Sequence, residues 1–365
     1  MQNSSGQYKF KICAIGPYGD GTGNDLPETC SVPLTHPAIS VNAKWSKGND
    51  GYDATITVKD GEKELTEGTD YEIESNVNDA TGIVIKTITG KGDYTGSVVK
   101  SLVPYIDENG KPQVMYDAAL LTSDVTDYIE NGVINLPGGW YVVQGEVKYT
   151  SPVGFSGDAH LILADGATMV IETESKYGIY ASNNLTIYGQ SNQNGILKAT
   201  GNLSGIYGNN GVTISGGSIT ATGSSYGIES YNNVTINGGS VTATGEDFGI
   251  YSDNGVTISG GMVEATGENG DGIYSDNGVT ISGGTVTASG NSSGINIKAG
   301  HIALGWTNST DFIKVSSIHL GADSCTVSIA EANPSSMKTA TSIAVSSLAS
   351  NFPLLKAKNL SLVTQ

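Results

Sequence analysis

"GIYSDNGVTISGG" occupies Gly249–Gly261 and returns, letter for letter, at Gly272–Gly284. Working outward from this pair, Gly-Ile dipeptides end at Ile179, Ile206, Ile228, Ile250, Ile273 and Ile295, with successive steps of 27, 22, 22, 23 and 22 residues. A period this regular is the signature of a solenoid. Each unit holds three short apolar patterns, such as "GIY", "VTI" and "VTA", each followed by Gly or Asn. Three strands per turn, rich in β-branched residues and punctuated by turn residues, predict a three-faced parallel β-helix rather than a helical repeat.

Alternation along each strand then sorts the side chains. On the second face Val212 and Ile214, Val234 and Ile236, Val256 and Ile258, and Val279 and Ile281 should point inward, leaving Thr213, Thr235, Thr257 and Thr280 as an outward ladder. The third face should send Ile219, Val241, Val263 and Val286 inward together with Ala221, Ala243, Ala265 and Ala288. Like residues would stack in columns about 4.8 Å apart. Asn183, Asn210, Asn232, Asn254 and Asn277 share a turn column, suited by tolerance of positive φ and by amide-to-amide bonding along the axis. The first coils are expected near Trp140, and after Ile297 the repeat is expected to dissolve into a cap.

Before the solenoid, residues 36–105 carry alternating runs such as "DATITVKD" and "GIVIKTITGKG" between Gly/Asp/Asn turns, a β-sandwich pattern. "LTEGTDYEI" and "ITGKGDYTGS" resemble the small Ig-like modules of large bacterial surface proteins, which usually act as spacers. Residues 1–34 read as two strands around "PYGDGTGNDL" and resemble the last hairpin of a fibronectin type III domain. This is expected to be the stump of a domain whose beginning is missing, which would also account for the lack of a signal peptide. Residues 106–116, with "DENGKPQ", read as a linker; 117–330 form the β-helix with its leading cap, and 331–365 the C-terminal cap or tail.

Composition narrows the partners. The formal net charge is −18 and no residue is arginine, so every basic side chain is a lysine. Nucleic acid, whose phosphates need a dense basic surface, is not expected as a partner, nor is an anionic membrane surface or membrane insertion. Cys13, Cys30 and Cys325 form no CxxC pair, so neither a zinc site nor a disulfide framework is signalled, although Cys13 and Cys30 could pair across the hairpin.

"GWYVVQGEVKYT", "DAHLILADGATM", "GIYASNNLTIYGQ", "VTISGGTVTA" and "LGWTNSTDFIKVSS" together resemble the β-helix domains of secreted or wall-associated surface proteins of gut bacteria. These belong with the pectate-lyase-like right-handed β-helices, and some relatives are described as carbohydrate-binding. The resemblance covers roughly 115–330 and implies a right-handed solenoid, an extracellular setting and a larger multidomain chain.

The enzymes of that class commonly use an Arg or Lys base, carboxylates that hold calcium, or paired Asp residues. The coils from Ile179 to Lys298 carry only Lys198 and Lys298, and His160, His301 and His319 are expected outside the regular coils. Catalysis is therefore not expected, and no catalytic or metal site is assigned. Asp253 and Asp276 recur on adjacent coils, where they could form a carboxylate pair or half a calcium site, or be solvated turn residues. "ENGDG" at 268–272 has too few carboxylates for a calcium loop.

One outward column should hold Tyr180, Tyr207, Glu229, Tyr251 and Tyr274. Exposed tyrosines could stack on sugar faces, with Asp253 and Asp276 binding hydroxyls, or could form an aromatic ladder that stabilises the strands. The outward threonines of the third face are expected to serve β-propensity and solubility. The expected function is adhesion or weak glycan binding at a cell or host surface, with a purely structural stalk as the alternative and a degenerate lyase or hydrolase behind both.

Overall fold

A Val-Thr-Ile triplet buries two side chains and exposes one, so it gains most by lying on its own copy one coil away. That pairing organises the computed structural model, which describes residues 31–48, 51–124, 129–305, 307–308, 311–322, 326–329 and 355–356. All three cysteines and most of the fibronectin-like stretch lie outside the described residues. The chain divides into two units, Met1–Val103 and Pro104–Gln365.

In the first unit, Ile39–Gly48, Gly51–Asp60 and Lys63–Glu64 form an antiparallel sheet, and Tyr71–Asn78, Ile83–Gly90 and Ser97–Ile106 contribute to another. Leu34, Val58, Leu65, Tyr71, Ile88 and Tyr94 make its buried core.

The second unit is a parallel β-solenoid whose described residues form three sheets of ten, ten and nine strands, with antiparallel pairing confined to the end strands Ile129–Glu130 and Leu355–Lys356. The predicted register holds: Val234 lies between Val212 and Val256, Ile250 between Ile228 and Ile273, and Ala243 between Ala221 and Ala265. Every inward position named above is buried to 1% exposure or less. The three sheets are called here after their repeating triplets: Gly-Ile-Tyr, Val-Thr-Ile and Val-Thr-Ala.

The turns differ from expectation in an instructive way. Among the described non-glycine residues, positive φ occurs at Asp117, Asn131 and Gln193, so no member of the asparagine column is left-handed. The left-handed corner is instead the second glycine of the Ser/Asn-Gly-Gly turn, at Gly217, Gly239, Gly261 and Gly284, with φ of +82, +78, +82 and +85°. What the asparagines do is bond along the axis: Asn210 Nδ2 donates to Asn183 (3.4 Å), Asn254 Nδ2 to Asn232 (2.9 Å) and Asn277 Nδ2 to Asn254 (3.3 Å).

The solenoid also extends further at both ends than its lettering shows. Ala119–Leu121 already pairs with Gly139–Val143, a coil before the expected start. Beyond Ile297, His301–Leu304, Phe312–Val315, Ile318–Leu320 and Thr326–Ile329 continue all three sheets. Accordingly His160, His301 and His319 sit on coil strands, not outside them. His160 is stacked on Trp140 at 4.2 Å and lies 3.2 Å from the Tyr188 hydroxyl; that hydroxyl donates to Glu108. The stretch expected as a linker holds the strand Pro112–Tyr116.

The one long step, 27 residues, comes from an insertion around Gln190–Asn194. Its side chains replace the missing repeat contacts: Gln193 Oε1 accepts from the Gly217 amide (2.8 Å), and Gln190 Nε2 donates to the Pro104 carbonyl (2.7 Å).

Candidate functional site

The outward side of the Gly-Ile-Tyr sheet carries two columns of side chains. Along one, Tyr180, Tyr207, Glu229, Tyr251, Tyr274 and Asn296 lie in register. Along the other, at the corner where each strand begins, stand Tyr177, Ser204, Tyr226, Phe248, Asp271 and Ser293. Glycine between the columns is a packing requirement: a Cβ on Gly227 would come within 2.6 Å of the Gly249 carbonyl in the next coil.

The rings gather into two groups. In the first, Tyr207 lies parallel to Tyr180 (5.4 Å, 2°), near Tyr177 (4.7 Å), and edge-on to Tyr231 (5.3 Å, 88°). In the second, Tyr251 lies parallel to Tyr274 (5.5 Å, 3°) and 5.1 Å from Tyr226, while Phe248 is 4.8 Å from Tyr274. Parallel rings with centroids this far apart are slipped, since full face contact would bring carbons to roughly 3.5–4 Å.

Glu229 separates the groups, and the reason is an inversion of local order. Neighbouring coils read Tyr207-Gly-Asn209, Tyr251-Ser-Asp253 and Tyr274-Ser-Asp276, whereas this coil reads Glu229-Ser-Tyr231. The carboxylate therefore takes the inner position between phenol rings, and the ring takes the outer one. The expectation of a uniformly exposed column is corrected here: Tyr207 is 3% and Glu229 4% exposed. Tyr177, Tyr180 and Tyr231 crowd Tyr207, and the shorter Glu229 sinks between taller rings, where Ser204 Oγ donates to its Oε2. Tyr180, Tyr251 and Tyr274 remain half-buried.

Burial, followed by the Ser204 bond and the nearby Lys176 charge acting the other way, leaves the Glu229 carboxyl above the usual carboxylate range. A raised carboxyl favours the folded state in its protonated form. Stability from this group is thus present below about pH 4.5, its unfolded value, and is lost as pH rises through the folded value. Glu229→Gln keeps an acceptor for Ser204 and removes the charge. It should raise the melting temperature by a few degrees at pH 7, with the gain fading by pH 4; calorimetric melts at both pH values check this, and a variant that melts lower at pH 7 would contradict it.

Asp253 and Asp276 occupy equivalent turns beside the Tyr251 and Tyr274 phenols, whose ionisation their charges oppose. Burial and then the Asp276 carboxylate push the Tyr274 phenol up to about 12, and burial and Asp253 raise Tyr251 as well. Asp276 also pairs with Lys298 at 3.0 Å. Two turn carboxylates, one of them paired with a lysine, supply too few oxygens for a calcium cage. Asp271, in the "ENGDG" stretch, is buried and accepts from Ser293 and from Asn296 Nδ2 (2.8 Å).

Around the corner from Tyr226 and Phe248 runs a groove of about 250 Å³ over the stacked Thr-Gly turns, lined by Thr200, Thr222, Thr244, Glu246 and Glu268. Sequence reasoning assigned Thr222 and Thr244 to β-propensity and solubility and missed the groove. Its concavity comes from Gly201, Gly223 and Gly245, where side chains are absent; the repeated "TG" was the available signal.

A family model described as "Carbohydrate-binding domain-containing protein" matches residues 137–347, more than half of the chain. No curated protein and no solved structure gives a match.

Proposed function

Because the chain belongs to the family of carbohydrate-binding domain-containing proteins, we propose that it binds glycan on the outward side of the Gly-Ile-Tyr sheet, as a non-catalytic module of an extracellular bacterial surface protein serving adhesion. The observation that carries this reading is the slipped Tyr251–Tyr274 stack, with Tyr180 further along the same column: three partly exposed rings on one sheet, while Tyr207 is buried among them. Sugar rings stack on such faces through their C–H surfaces, while nearby Asp and Asn groups accept from hydroxyls. The absence of arginine, and the pairing of Asp276 with Lys298, favour binding over bond cleavage.

A screen of the chain on a broad glycan array, beside the double variant Tyr251→Ala/Tyr274→Ala, tests it. Losing two ring contacts should weaken binding roughly tenfold or more, with circular dichroism unchanged. Equal binding by the variant would move the site off these rings. A folded chain that binds nothing would favour a stalk, a role in which the buried Tyr207 and Glu229 serve only to hold coils together.

A further inference from the structure

We propose that the glycan taken by the Gly-Ile-Tyr face carries free amino groups, with Asp253 as the counter-ion of an ammonium. This rests on reading that face as the carbohydrate-binding surface and names the chemistry it selects.

Glu229, Asp253 and Asp276 stand in or just after the tyrosine column on successive coils, and their situations differ. Glu229 is buried and bound by Ser204. Asp276 is neutralised by Lys298. Asp253, between them, is partly exposed and lies beside the Tyr251 phenol, and no lysine pairs with it among the described residues. Lys176, at the start of the first ring group, is held over the Tyr177 ring at 4.8 Å. Asp253 is therefore an uncompensated negative charge near the Tyr226, Tyr251 and Tyr274 rings, of which Tyr251 lies 5.1 Å from Tyr226 and 5.5 Å from Tyr274.

A carboxylate set among π faces favours a cationic group, because Coulomb attraction and the ring quadrupole act in the same direction. An amino sugar brings both the ring face for stacking and the ammonium. A neutral sugar brings only the first, and a uronate meets like charge on a chain of net charge −18.

The test is titration calorimetry of the full chain with the linear tetramers of glucosamine, glucose and galacturonic acid, in chelator and at low ionic strength near pH 6, where aspartate is ionised. Glucosamine tetramer should bind about tenfold more tightly than glucose tetramer, galacturonate tetramer should be the weakest, and roughly 0.5 M salt should erode the preference. In Asp253→Asn, which reproduces the side chain at the equivalent Asn209, the ratio of glucosamine to glucose affinities should fall below about twofold. Equal affinities for the two tetramers, a galacturonate preference, or a ratio unchanged in the variant would overturn the inference while leaving carbohydrate binding in place. If the folded chain binds none of the tetramers, the inference and the reading beneath it both fail.

Discussion

Ile250→Asp is expected to unfold the central coils. Ile250 is fully buried and lies between Ile228 and Ile273 in an unbroken column from Ile179 to Ile295. No described basic side chain reaches this column, so the new carboxylate would be buried without a partner, at a cost of several kcal/mol. A solenoid transmits such a loss, because each coil is stabilised chiefly by its two neighbours. Thermal circular dichroism should show the transition lowered by more than about 10 °C or split. Thr257→Asp, on the exposed side of the adjacent strand, should stay within about 0.5 kcal/mol of the parent. If Ile250→Asp melts like the parent, the inward register is wrong.

Gly245→Ala should also be strongly destabilising, and here local reasoning predicts the opposite sign. Gly245 is not among the positive-φ residues, so replacing it should help by about 0.4–1 kcal/mol through the unfolded chain. The fold forbids this, because a Cβ at Gly245 would sit on the carbonyls of Phe248 and Ser225. Both obstacles are backbone, one in the same turn and one in the coil below, and neither can swing away as a side chain would. Opening the turn should cost about 3 kcal/mol, the upper part of the range for overpacking. Urea unfolding measures it, and a variant as stable as the parent would show that the coils stack less closely than described.

The inward columns were legible because they depend on two periods, alternation along a strand and about 22 residues around a coil, and both are written in order along the chain. The asparagine bonds were legible for the same reason, although the backbone conformation behind them was not: the left-handed corner falls on Gly217 and its equivalents. The end coils were harder to read. Phe312–Val315 pairs with Thr285–Ala288 without sharing its letters, since a strand at the end of a stack needs an inward apolar face and need not copy its neighbour.

By itself, then, the sequence determined the architecture, the register of the core and the chemical character of the outward ribs, all of which follow from residue type and spacing. Tertiary structure alone decided which rib residues stay accessible. Whether Tyr207 is covered depends on Tyr177, Tyr180 and Tyr231, drawn from the two coils on either side of it, and whether Glu229 is sunk depends on the rings above and below it. Exposure is a property of neighbours stacked in space, and a period states who those neighbours are without stating how their side chains share the surface.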